Sequence, residues 1–255
     1  MLIYDCICYN GEPIIEMRLE LLYPVVDRIF ITESWYTFTG TRKPALYKEI
    51  NSSLFEKYAD KIAWIVLESC VSTNPWQNEK EQRNAAYSHV VRASQHMPFI
   101  CLVCDVDEIV NPNVVEAMKR ENGMYEQLTK PVALEMEFYY YSFRWRKKFK
   151  WLHPFAVNDL GISEDLDGMR LSGKAGCISN AGWHCSFFES VENIIRKVES
   201  FSHQEHNTES VKSPKHIRWC IENGIDLFSR GDYEDLIAVP KHGGNVLLKL
   251  ARVAR

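Results

Sequence analysis

The stretch Phe99–Val110, FICLVCDVDEIV, decides how the chain is read. Phe99 to Cys104 is a short apolar run, which reads as a buried strand. It leads without a break into Asp105-Val106-Asp107-Glu108. Three carboxylates that close repel one another unless cations lie among them. The rest of the chain must therefore supply a sheet around this strand and positive charge around its tip.

Working outward, the same kind of run recurs. Leu2 to Cys8 reads as a buried strand, broken by Asn10-Gly11-Glu12-Pro13. Residues 13–26 carry Ile14, Met17, Leu21 and Val25 at helical spacing. DRIFITES (27–34) and KIAWIVLES (61–69) read as two more strands, the first ending on Glu33. Asn74 predicts a helix start: Asn is a good N-cap, Pro75 suits the first helical position, and Gln77 completes a capping box. That helix is predicted to reach about Ala93. Strands separated by helices predict one α/β domain with a mostly parallel central sheet flanked by helices.

Beyond Pro112 the pattern predicts a helix to about Glu121, then a long half-buried strand over Val132–Phe143 with period-two alternation. RWRKKFK (144–150) packs five cations into seven residues and reads as a charged hairpin tip. GCISNAGWHCSFF (176–188) suggests a strand, SVENIIRKVESF (190–201) a helix, and residues 241–255 a basic C-terminal tail.

The bulk composition excludes several classes. A formal net charge of −4 over 255 residues argues against a nucleic-acid binder, which needs a basic surface. No segment approaches the roughly 20 apolar residues that span a bilayer. The N-terminus meets an acid at Asp5 and has no basic region, so it is not read as a signal peptide. The expected location is the cytoplasm. The eight cysteines fall largely within apolar runs, and reduced core cysteines are the expectation.

In an open parallel sheet, ligands gather beyond the carboxyl ends of the strands. Asp105 and Asp107 sit at such an end, two residues apart, so in extended chain their side chains point the same way. Converging carboxylates make an oxygen-rich site for Mg²⁺ or Mn²⁺, with substrate phosphate filling the remaining positions. A solvated acidic turn is the plainer alternative. Arg83 shares a helical face with Trp76 and Tyr87. Its forked guanidinium suits a phosphate or carboxylate, or else an ion pair with Glu79 or a strand-end acid. Asn84 beside it can hydrogen-bond a sugar or base edge.

Four segments carry a family resemblance: YDCICYNGEPIIEMRLELLYPVVDRIFITESWYTFTG (4–40), NPWQNEKEQRNAA (74–86), DVDEIV (105–110) and AGWHCSFF (181–188). In order along the chain, they resemble glycosyltransferase family 17, the family of the bisecting β-1,4-mannosyl-glycoprotein N-acetylglucosaminyltransferases. The resemblance implies a GT-A (Rossmann-like) fold over residues 1–240, with a nucleotide-sugar-binding half at 1–130 and an acceptor-side half at 131–240. It implies a UDP-sugar donor, UDP-N-acetylglucosamine in the animal members, a Mn²⁺ (or Mg²⁺) cofactor, a glycan acceptor and inversion at the anomeric carbon. In contrast to the animal members, no N-terminal membrane anchor or stem is expected from this sequence.

The resemblance also implies roles. Asp107 is expected to ligate the metal, and Asp105 to reach the ribose or the metal through water. Glu108 shapes the turn. Asn10, Glu12 and Glu33 are placed to hold uridine. His184 is the candidate third ligand, with His203 competing. A carboxylate general base must take the acceptor's proton; Glu205 and Glu189 are the candidates, Glu205 preferred. Trp145, Trp151 and Trp183 could stack on sugar rings. Two other readings stay open: a metal-dependent glycoside or phosphoester hydrolase, and a non-catalytic carbohydrate-binding protein.

Overall fold

A computed structural model describes residues 1–230 and 236–239. Ten strands build one sheet: β1 (Leu2–Cys8), β2 (Arg28–Ser34), β3 (Ile62–Leu67), β4 (Phe99–Asp105), β5 (Glu108–Val110), β6 (Val132–Tyr140), β7 (Ser142–Trp151), β8 (Phe155–Asn158), β9 (Cys177–Ser186) and β10 (Ile237–Ala238). The helices are α1 (Ile15–Leu22), α2 (Tyr47–Ile50), α3 (Ser52–Glu56), α4 (Pro75–Asn84), α5 (Ala86–Ser94), α6 (Pro112–Arg120), α7 (Asn122–Gln127), α8 (Leu166–Leu171), α9 (Val191–Ser200) and α10 (Pro214–Asn223).

The N-terminal half follows the expected logic. β4, β1, β2 and β3 lie side by side, all parallel, each joined to the next through helices. Their central residues are covered on both faces; Ile3, Ile29, Ile100 and Leu102 are fully buried. Each such side chain contributes about 1.5–3 kcal/mol over leaving it exposed. Asn74 caps α4 by accepting from the Trp76 amide at 3.0 Å. The capping box fails: Gln77 turns to Glu81, and the Asn74 amide donates to Ser72 Oγ instead.

The sheet is mixed, not mostly parallel: five of the nine strand pairings among the described residues are antiparallel. The cause lies after β5. β6, β7 and β8 follow one another without a helix between them, and such short connections force neighbouring strands to run in opposite directions. Tyr141, at φ 63°, reverses the chain between β6 and β7. β6 pairs with β9 in parallel on one edge, and with β8 and then β7 on the other, so the sheet curls around it. β6 thus ends at Tyr140, and it is buried along most of both faces rather than half-buried.

RWRKKFK is not a hairpin tip but the body of β7. Strand alternation sends Lys147 inward, where it is fully buried against Asp226 (Nζ–Oδ1 3.1 Å), while Arg146 and Lys150 pair with Glu137. The eight cysteines are free thiols; six are buried, whereas Cys177 is exposed. No helix among the described residues is long and apolar enough to cross a membrane. The basic tail expected at 241–255 lies outside the described residues.

Candidate active site

The tip of β4 opens into a cleft of about 370 Å³ at the carboxyl ends of β1 and β4, within the size range of small-ligand sites. Its wall is unusually aromatic; Phe38, Trp76, Phe138, Phe149, Trp151 and Phe201 all face it. A second lobe adjoins it and shares Asn10, Glu12, Phe38 and Lys197.

The repulsion among the three acids is resolved by three cations, Arg83, Arg170 and Lys197. Residues 106 and 107 form a turn, so the period-two argument does not apply, yet Asp105 and Asp107 both face the cleft. Asp105 is clamped between Arg83 (Oδ1–Nη2 2.9 Å) and Arg170 (Oδ2–Nη2 2.9 Å). Burial alone would raise its pKa, but the guanidinium groups of Arg170 and Arg83 override this and hold it at about 2. Asp107 pairs instead with Lys197 (Oδ2–Nζ 3.1 Å) and approaches His184 (Oδ1–Nε2 3.6 Å). Here too burial is overcome, first by the Lys197 ammonium and then by His184, which hold the carboxyl far below the usual range.

Glu108 is fully buried and closes the turn: it accepts from the Asp105 amide at 2.6 Å, from Trp151 Nε1 and from Arg170. Beneath the turn lies Arg18, also fully buried. Its Nε and Nη2 bind Asp5, while Nη1 donates to the carbonyls of Asp105 (3.1 Å) and Glu108 (2.6 Å). One guanidinium therefore ties the first strand's acid to the backbone of the acidic turn.

His184 reaches the turn through strand pairing, because β5 and β9 place it opposite Glu108. Gly182 permits this approach: a Cβ there would collide with the Ile109 carbonyl. The imidazole stacks on Phe138 with centroids 4.4 Å apart, and its Nδ1 is buried without a hydrogen-bond partner in the structure.

The other sequence-predicted residues divide. Asn10 and Glu12 line the cleft, the Asn10 amide donating to Glu12 at 2.8 Å. Burial pushes Glu12 up to about 7, against the pull of Lys197 and with the push of Glu189 and Asp107. Arg83 lines the cleft, but as an ion-pair hub that also holds Glu79 and Asp167. Asn84 is drawn away to α8, where it accepts from the Asp167 amide. Glu33 does not face the cleft: it is fully buried, bonded to Lys43 Nζ and to the amides of Tyr47 and Lys48, and so anchors the start of α2. Full burial keeps its carboxylate out of reach of uridine.

Glu189 lies in the second lobe, its side chain 3% exposed and 3.8 Å from Lys197. Burial raises its pKa against the opposing pull of Lys197. Glu205 is exposed at the rim, bonded to His203 at 2.7 Å, and it is His203 that lines the cleft. Of the three tryptophans, Trp151 faces the cleft, while Trp145 and Trp183 are core anchors; Trp76, 48% exposed beside His203, provides the outer ring.

Lys197, Arg170, Arg18 and Asp5 were not anticipated. Lys197 and Arg170 sit on α9 and α8, more than 60 residues from the acids they hold, so no local spacing signals the pairing. Asp5 offered one hint, a charge within an apolar strand, which burial tolerates only with a partner.

These acids differ in their fitness for a divalent cation. Asp105 does not fit as a direct ligand, since guanidinium groups occupy both its oxygens. Asp107 and His184 do fit: their facing atoms are 3.6 Å apart, within the roughly 4.2 Å that two donors of one small cation can span. A second arrangement exists at the rim, where His203, Glu205 and His206 bring one donor atom each within 4.8 Å of one another.

The sequence model of one protein family, glycosyltransferase family 17, matches residues 2–234, most of the chain. No curated protein matches it.

Proposed function

This chain belongs to glycosyltransferase family 17 and is a glycosyltransferase, and from that premise we propose that it moves a sugar, N-acetylglucosamine, from a UDP-sugar to a glycan hydroxyl, with inversion and with Mn²⁺ or Mg²⁺ as cofactor. We further assign it the GT-A architecture, with residues 1–130 as the nucleotide-sugar-binding half and 131–240 as the acceptor-side half, which also lends His184 and Lys197 to the acids of the donor half. The observation that carries the reading is the pairing of Asp107 with His184 at the floor of an aromatic cleft. Acids beyond the carboxyl ends of parallel strands suit a phosphate-bound cation, and flat rings suit the apolar faces of sugars.

Asp107 and His184 would hold the cation, which when bound offsets charge developing on the departing diphosphate. Asn10 and Glu12, just after β1, support the nucleoside in the second lobe. Arg83 and Arg170 keep Asp105 ionised and fixed, which leaves it to accept a ribose hydroxyl rather than to ligate metal. Glu205, open to solvent and oriented by His203, which itself packs on Trp76, takes the proton of the attacking hydroxyl. Glu189 is too enclosed against Lys197 for an acceptor arriving from solvent.

The test is product analysis of UDP-N-acetylglucosamine with Mn²⁺, with and without a panel of oligosaccharide acceptors. Mass-shifted acceptor and released UDP are expected. Free sugar formed at the same rate without acceptor would instead establish a hydrolase. Sugar binding that survives both chelation and Asp107→Asn, with no turnover, would establish a binding protein.

A further inference from the structure

The two acids of the turn are neutralised in different ways. Asp105 is held from two sides by planar guanidinium groups that are themselves almost wholly buried. Asp107 is held by an ammonium on a flexible four-carbon stem and by an imidazole. Arginine forks are built to stay on a carboxylate; a lysine is a compact charge that can swing.

Lys197 is positioned for such a swing. α9 is capped by Ser190 and buries Ile194 and Val198, which leaves Lys197 beside the buried face and pointing into the cleft. It borders both lobes. Its Nζ lies 3.1 Å from Asp107 Oδ2 and 3.8 Å from Glu189 Oε1, with the Phe187 ring 5.3 Å away. The side chain keeps 21% of its surface in solvent.

We propose that Lys197 is an exchangeable counter-ion, neutralising Asp107 while the cleft is empty and crossing to the donor's diphosphate when nucleotide and cation enter. This rests on the assignment of Asp107 as a cation ligand. A divalent cation on Asp107 repels an ammonium on the same carboxylate, and the incoming phosphates offer that ammonium a better partner. Cation and nucleotide therefore favour each other's binding, and linkage makes the coupling reciprocal.

The experiment is calorimetric titration of Mn²⁺ alone, of UDP alone, and of Mn²⁺ at saturating UDP, on wild type, Lys197→Met and Lys197→Arg. Without UDP, Lys197→Met is expected to bind Mn²⁺ about tenfold tighter than wild type, because the competitor is gone. It binds UDP more weakly, and UDP raises its Mn²⁺ affinity by a smaller factor than in wild type. Lys197→Arg keeps the ion pair and binds Mn²⁺ no tighter than wild type; it also stands as the folded control should the methionine variant fail to fold, and tighter Mn²⁺ binding by it counts against exchange. Mn²⁺ affinity unchanged or weakened in Lys197→Met overturns the exchange while leaving the metal site intact. Wild type that binds UDP but no Mn²⁺ overturns both the metal site and the exchange, and is recognised in wild type alone.

Discussion

Asp107→Ala is expected to lower kcat by at least about 10³-fold, equivalent to roughly 4 kcal/mol of lost transition-state stabilisation. The residue is one of two side chains at the cleft floor that can share a divalent cation, and a carboxylate held far below its usual pKa is ionised at every working pH. Folding should survive the change, because Lys197 retains Glu189 as a partner and access to solvent. Calorimetry of UDP binding provides the second readout. Mn²⁺ strengthens UDP binding to wild type and should leave the variant's unaffected. Asp105→Ala makes the contrast: it removes the acid that joins the buried Arg83 and Arg170, leaving the first to Glu79 and Asp167 and the second to Glu108, so it should lose melting temperature as well as turnover. Equal turnover of Asp107→Ala and wild type would remove the residue from the chemistry.

Arg18→Met carries the largest expected effect on stability. The guanidinium is wholly buried, and deletion leaves the Asp5 carboxylate without its partner and the carbonyls of Asp105, Val106 and Glu108 without theirs. Removing one member of a buried ion pair costs about 3–5 kcal/mol. At roughly 2–4 °C per kcal/mol for a chain of this size, melting falls by about 6–20 °C. Adding Asp5→Leu should return part of that loss, since the stranded charge is gone. It should not return activity, because the carbonyls of Asp105 and Glu108 remain unheld and the turn is free to shift. Denaturant unfolding of the single and double variants checks this; a single variant within about 1 kcal/mol of wild type would show the pair to be dispensable.

How legible these features were in the sequence depends on how far apart the participants lie. The first four parallel strands announce themselves, because each is a contiguous apolar run followed by a break and a helical pattern, and a run needs no partner to be recognised. The acidic turn was legible for the same reason. The mixed half of the sheet was harder. β6 to β8 follow without intervening helices, and the cations of β7 masked the strand alternation that buries Lys147. Glu33 shows the limit of reading an acid by its position at a strand end: the same location serves a ligand or a helix start, and here the amides of Tyr47 and Lys48 claim it. Lys197 and Arg170 were invisible because their meaning arises only when helices that follow β8 in the chain close over the tip of β4.

The most direct measurement is the anomalous scattering of a crystal grown with Mn²⁺ and UDP. A single strong peak within coordination distance of both Asp107 and His184, bridging to the diphosphate with Lys197 turned towards it, is the expected result. Bound UDP with no manganese at that pair, or with manganese held only by His203, Glu205 and His206 at the rim, contradicts it.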